Sequence, residues 1–246
     1  MDKDYLVDEL RNGIRGVDKE DKRFFKESER KRMLYAQEEI RFLMDRDYPL
    51  PPVIKLVSDR YQFSSRQRLA LQRASCKTQS EKLRQDKCLP LDHLKDDTIY
   101  LDGFNIIITL ETALSGGVVV IGQDQCVRDL AGIRGNYRII DKTIKALEIL
   151  SNAFIKLDAK QICFYLDGPV SNSGRLKLKI LEFAKLYHLS INVEVINNPD
   201  TVLSNMQRIV TSDAIILDAC QSYFNLVAYC IKEYIPDAFV VKLDSH

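Results

Sequence analysis

From Thr98 onward the chain alternates short apolar runs with stretches of helical periodicity, and that alternation limits the fold more than any other feature. Apolar runs without internal polar alternation suit strands buried on both faces. Separated by amphipathic helices, they predict βα units and a parallel sheet. Thr98–Leu101, Val118–Ile121, Gln161–Leu166, Ile191–Ile196, Arg208–Val210 and Ala238–Leu243 read as strands. Asn105–Leu114, Arg138–Ile155, Gly174–Tyr187 and about Tyr223–Glu233 read as helices. The expected fold class is α/β: a Rossmann-like three-layer sandwich with a mainly parallel sheet over residues 98–246, preceded by a small all-helical region over residues 1–97.

The N-terminal region is charge-dense. Residues 20–46 carry Phe24, Phe25, Met33, Leu34, Ile40 and Leu43 at three- and four-residue spacings, the pattern of an amphipathic helix. Pro49, Pro51 and Pro52 stop it, a short helix follows over Val53–Arg60, and Ser64 or Ser65 would cap a third helix. Residues 77–97, polar and interrupted by proline, read as the linker. The net charge of +1 hides a local imbalance, because residues 51–88 hold nine basic side chains against three acidic ones. Arg60, Arg66, Arg68, Arg73 and Lys77, interleaved with Tyr61 and Phe63, form a surface suited to phosphate contacts and base stacking; an ordinary solvated helix face is the competing reading.

Several classes fall away. No apolar run reaches the roughly 20 residues that span a bilayer, so no membrane partner is expected. Six cysteines without a CxxC pair and without a secretory signal predict reduced thiols in a cytoplasmic protein. The three histidines are scattered, and neither the phosphate-binding GxxxxGK[ST] pattern nor the glycine-rich dinucleotide fingerprint is present. Self-association stays open.

Carboxylates at strand ends carry the functional reading. The runs IYLDG, CFYLDG and IVTSD finish on Asp102, Asp167 and Asp213, and Glu111 lies about two turns into the helix after the first of them. In open parallel sheets ligands bind at the carboxyl ends of the strands. Acids converging there repel one another unless a hard cation such as Mg²⁺ or Mn²⁺ neutralises them. The alternative for each is a turn residue or helix cap. Asn105 would bond a ligand or orient Asp102. In the long loop 122–137, Arg128 and Arg134 are candidates to hold phosphates, with surface ion pairing as the alternative; Arg175 and Lys177, at a loop opening a helix, are candidates of the same kind. Arg66 and Arg68 join them from the basic stretch. Glu111, Asp124, Asp129 and Asp218 compete for a fourth acidic place.

The sequence Asp102-Gly103-Phe104-Asn105 after the first strand, with Thr211-Ser212-Asp213 late in the chain and Asp167 between, resembles the NYN branch of the PIN-like nucleases. The likeness covers roughly residues 98–243 and is nearest to an uncharacterised prokaryotic PIN-related domain family with an N-terminal helical extension. It implies a Rossmann-like fold, a divalent metal held by Asp102, Asp167 and Asp213, and RNA as substrate. Two other readings stay open: a non-catalytic RNA-binding or scaffold protein, and a Rossmann-like nucleotide-binding enzyme.

Overall fold

The apolar runs form mostly parallel strands, divided between two sheets. The computed structural model describes residues 12–132 and 135–244, so Arg134 and His246 lie outside the described residues. The strands are β1 (Ile99–Asp102), β2 (Val119–Ile121), β3 (Val127–Asp129), β4 (Ile162–Asp167), β5 (Ile191–Ile196), β6 (Ile209–Val210) and β7 (Val240–Lys242). The main sheet is parallel throughout, in the order β5-β4-β1-β6. A smaller sheet, β3-β2-β7, pairs β2 parallel to β7 and antiparallel to β3.

The helices are α1 (Asp21–Phe24), α2 (Glu27–Met44), α3 (Leu50–Tyr61), α4 (Ser65–Ala74), α5 (Thr78–Lys87), α6 (Gly103–Leu114), α7 (Asp141–Lys156), α8 (Ser173–Leu186), α9 (Pro199–Leu203), α10 (Ala214–Ala219) and α11 (Leu226–Tyr234). Residue alternation in the strands sorts them into layers. In β4, Ile162, Phe164 and Leu166 pack with α6, α7, α8 and α11, whereas Cys163 and Tyr165 pack with Leu203, Ile216 and Leu217 of α9 and α10. The main sheet is thus covered on both faces, as a βα pattern requires. Val119 of β2 joins the main core, while Val118 and Val120 join a second core with Met33, Ile40, Val57 and Leu71 of the N-terminal helices. The N-terminal helical region is therefore built onto the smaller sheet and shares its core.

Three expectations are corrected here. The helix expected over residues 20–46 breaks at Phe25 and Lys26 into α1 and α2. The expected linker contains a regular helix, α5, whose burial comes through ions: Glu81 pairs with Arg41, and Arg84 is buried against Asp124. Apolar periodicity is blind to such a helix. The loop 122–137 contains β3, which turns back on β2 through Gly122 and a left-handed Gln125. The third-helix cap is Ser64, in a reciprocal capping box with Gln67.

The passage from β1 into α6 depends on Gly103. A Cβ there would stand 2.5 Å from Leu166 Cδ2 and 3.0 Å from the Tyr165 carbonyl, because α6 starts directly against β4. Gly103→Ala is expected to cost about 1–3 kcal/mol by overpacking, read as a lower urea midpoint with an unchanged slope.

Candidate functional site

Four acids gather at the carboxyl end of the main sheet. Asp102 closes β1, Asp167 closes β4, Asp200 sits in α9 just past β5, and Asp213 follows β6. The strand order reverses between β1 and β6, the place where open α/β sheets leave a crevice. Asp102 is the centre. Burial pushes its carboxyl up to about 7, and the charges of Asp200 and Asp213 push the same way against hydrogen bonds from Thr211 and the Asn105 backbone. Asp200 is raised as well, by partial loss of water and then by Asp213 and Asp167. Asp200 is the acid that sequence reasoning missed. Its signal was Asn197-Asn198-Pro199-Asp200 after β5, a strand-end acid displaced by three residues of turn.

The two motifs singled out in the sequence are fastened to each other. Thr211 Oγ1 donates to Asp102 Oδ2 at 2.8 Å and accepts from the Asp213 amide at 3.1 Å. Asn105 Oδ1 accepts from both the amide and the hydroxyl of Ser212 at 2.9 Å. Thr211, not the Asn105 side chain, orients Asp102; Asn105 instead pins the strand end opposite. Asp213 accepts from the amides of Ile215 and Ile216 and so caps α10.

Asp102 differs from every other buried acid among the described residues. Asp21 pairs with Arg66, Glu81 with Arg41, Glu111 with Arg15, and Asp124 with both Arg84 and Arg128. Asp102, only 8% exposed, has no cationic partner there. A buried carboxylate costs several kcal/mol unless a positive charge offsets it. As placed, no group of three or more His, Cys, Asp or Glu among the described residues stands close enough to hold a metal ion.

Several expected site residues are elsewhere. Glu111 is fully buried in a separate network with Arg15 at 2.6 Å, Tyr137 at 2.6 Å and the Thr143 hydroxyl, and is no part of the acidic rim. Arg128 lies in β3, buried, with both terminal nitrogens on Asp124 and Nε on the Ser212 carbonyl at 2.7 Å; no side-chain nitrogen is left for phosphate. Arg66 is spent on Asp21 and the carbonyls of Gly16 and Leu130, and Arg68 on Asp59 and the Phe63 carbonyl. Tyr61 and Phe63 stack on each other, and Phe63 is buried. The basic stretch is thus largely internal wiring. Among the fourth-acid candidates, Asp124 and Asp218 are paired with arginines, and Asp129 accepts from Thr109 and the Ala131 amide. Arg175 is exposed and Lys177 half-exposed at the start of α8; Arg175 lines a cavity of about 400 Å³ with Arg138, Asn172 and Lys179.

Complete burial pushes Glu111 up to about 7, against Arg15, Thr143 and Tyr137, which pull it down. A raised acid costs nothing below its unfolded pKa, and the cost grows as pH rises toward 7. Arg15→Ala removes the counter-charge, so its penalty, up to about 3 kcal/mol, is expected to be larger near pH 8 than near pH 5, where Glu111 is protonated with or without Arg15. Paired thermal melts at the two pH values check this, and an equal loss at both would contradict it.

A family model described as Domain of unknown function (DUF5616) matches residues 91–229, and one described as Protein of unknown function (DUF434) matches residues 32–87. The uncharacterized protein MJ0935 of Methanocaldococcus jannaschii is 32% identical over 182 residues, covering 74% of this chain and 87% of that protein. No solved structure matches the chain. Among the described residues no helix is long and apolar enough to cross a membrane.

Proposed function

The chain belongs to the family described as Domain of unknown function (DUF5616), and from that premise we propose that it is a PIN-like, metal-dependent ribonuclease of the NYN type, cutting a phosphodiester bond at the strand-end aspartates. The observation that carries this reading is Asp102, a buried carboxylate facing two like charges with no arginine or lysine beside it among the described residues. Every donor at this rim is a hard oxygen, the chemistry that Mg²⁺ and Mn²⁺ select. Mg²⁺ is commonly held by one or two carboxylates and otherwise keeps waters and substrate phosphate, so the reading does not require three acids in direct contact with it.

On this reading Asp102 would contact the ion directly, with Asp167, Asp213 and, in place of Glu111, Asp200 reaching it through its bound waters. When bound there, it supplies Lewis-acid charge to phosphodiester hydrolysis. Thr211 fixes the direction of the Asp102 carboxylate, and Asn105, through Ser212, fixes the strand end that carries Asp213. Arg175, Lys177 and the neighbouring Arg138 would hold the RNA backbone as it leaves the rim.

Cleavage of single-stranded and structured RNA with Mn²⁺, alongside calorimetric Mn²⁺ titration, tests this reading. Wild type should cleave and bind Mn²⁺, while Asp102→Asn and Asp213→Asn should lose the activity. Wild-type rates in both variants would sink it. A scaffold role is favoured by one observation, that Asp213 already serves as a helix cap. On that reading RNA binds but no Mn²⁺ heat is lost in Asp102→Asn.

A further inference from the structure

A cleft of about 510 Å³ lies between the N-terminal helices and the start of α10, and Asp213 forms part of its wall. That volume falls among those of small-ligand sites, roughly 300–1,000 Å³. Its lining is of two kinds. Met44, Leu50 and Leu69 give an apolar wall from α2, α3 and α4. Arg73, Lys77, Arg84 and Arg128 line it beside Asp213 and Asp218, and because Arg84 and Arg128 are answered by Asp124 and Asp218, the cations left for a ligand are Arg73 and Lys77.

The cations at the mouth are available. Arg73 is exposed, with no ion-pair partner among the described residues. Lys77 pairs with Asp47, itself 88% exposed, and such a pair is worth little and exchanges readily for a phosphate. Arg84 and Arg128, by contrast, are committed to Asp124 and form a fixed floor. Ser75, also in the lining, is 9% exposed, and its hydroxyl is shielded from solvent with no hydrogen-bond partner among the described residues. Buried hydroxyls are normally bonded, so a small shift of the lining that bares this one would give the polar edge of a bound group a partner.

We propose that this cleft seats the nucleotide of the RNA strand adjacent to the bond cut at the acidic rim. The base lies against Met44, Leu50 and Leu69 with an edge on the Ser75 hydroxyl, and its phosphate lies on Arg73 and Lys77. The inference rests on the nuclease reading for the direction of the strand, and it gives the N-terminal helices a part in substrate binding. An acidic peptide would satisfy the cations alone, but not the apolar wall and the buried hydroxyl together.

The test uses the full chain in EDTA, with fluorescence anisotropy of a labelled hexaribonucleotide and a labelled oligoglutamate of matching charge. The paired change Arg73→Glu and Lys77→Glu, at two surface positions, should weaken the ribonucleotide about tenfold and lower the salt slope of log K by about 0.7, the value for the one phosphate no longer neutralised on a single strand. Ser75→Leu should weaken binding with the salt slope unchanged. Melting temperatures of all variants verify folding. Unchanged affinity and slope in the charge-reversed variant, or equal binding of oligoglutamate, would overturn the assignment. If wild type never cleaves but binding falls as described, the cleft stands and the acidic rim loses its catalytic role. If Asp102-dependent cleavage is present and the charge-reversed variant binds and cleaves like wild type, the rim stands and the cleft assignment fails.

Discussion

Asp102→Asn is expected to lower Mn²⁺-dependent RNA cleavage by about 10³-fold while raising the melting temperature of the metal-free protein. The two effects have one cause. Asp102 is held at about 7, against an ordinary 3.8, by burial and by the charges of Asp200 and Asp213. A carboxyl raised in the folded state costs nothing below pH 4, where it is protonated in both states. The cost grows as pH climbs toward 7 and is complete above it. The ceiling is on the order of 4 kcal/mol, or up to about 10 °C for a chain of this size. Asparagine keeps the shape and still accepts from Thr211, but carries no charge to desolvate. Melts in EDTA should therefore show a variant advantage that is wide at pH 8 and narrow at pH 5. Saturating Mn²⁺ should narrow the gap, because only wild type gains binding energy, about 2.7 kcal/mol at a hundredfold excess over Kd and about 4.1 kcal/mol, enough to close it, at a thousandfold excess. A variant less stable than wild type at pH 8 in EDTA would mean that the Asp102 charge is offset from within the protein.

The sequence made the sheet legible because burial on both faces leaves a direct signature. Every expected strand formed within a residue or two of its expected ends, and the aspartates of β1 and β4 close their strands. What stayed hidden was whatever polar burial decides. The strand β3 is only three residues long and includes Arg128 and Asp129, so it shows no apolar run. Helix α5 buries Glu81 and Arg84 in place of leucines. For the same reason the basic stretch misled. A run of arginines looks identical whether its partners are phosphates or distant carboxylates, and here Asp21, Asp59 and Asp124 lie 45, 9 and 40 residues from the arginines they hold. Glu111 was on the right helix, but eight helical residues past Gly103 carry a side chain about 12 Å along the axis, beyond the rim. Asp200 escaped because it follows its strand through a short turn, whereas the other acids sit at the strand ends or within three residues of them.

The arginines that do not serve as substrate ligands have a larger role in holding the rim, and Arg128→Ala is the substitution that exposes it. Asp124 is shared by Arg84 from α5 and Arg128 from β3; burial pushes its carboxyl up, but Arg128 and then Arg84 outweigh this and hold it near 2. Arg128 also carries the Ser212 carbonyl, and Arg84 carries Asp218 and the Ala214 carbonyl, so both sides of Asp213 hang from this one cluster. Removing Arg128 leaves Asp124 buried with half its compensation and should cost about 3–5 kcal/mol. A depressed acid gives stability that is present above its unfolded pKa of 3.8 and is lost as pH falls through 2, so the wild-type advantage should persist at pH 7 and shrink toward pH 3. Because the two arginines share one carboxylate, Arg84→Ala and Arg128→Ala should couple in a double-mutant cycle by about 0.5–3 kcal/mol. Asp124→Leu combined with Arg128→Met, which removes the charge along with one of its partners, should recover part of the loss. That rescue separates stability from positioning: it restores the melting temperature without restoring a donor to the Ser212 carbonyl. Cleavage that stays depressed in the rescued protein therefore assigns Arg128 to the placement of Asp213, and cleavage that returns with stability assigns it to the fold alone.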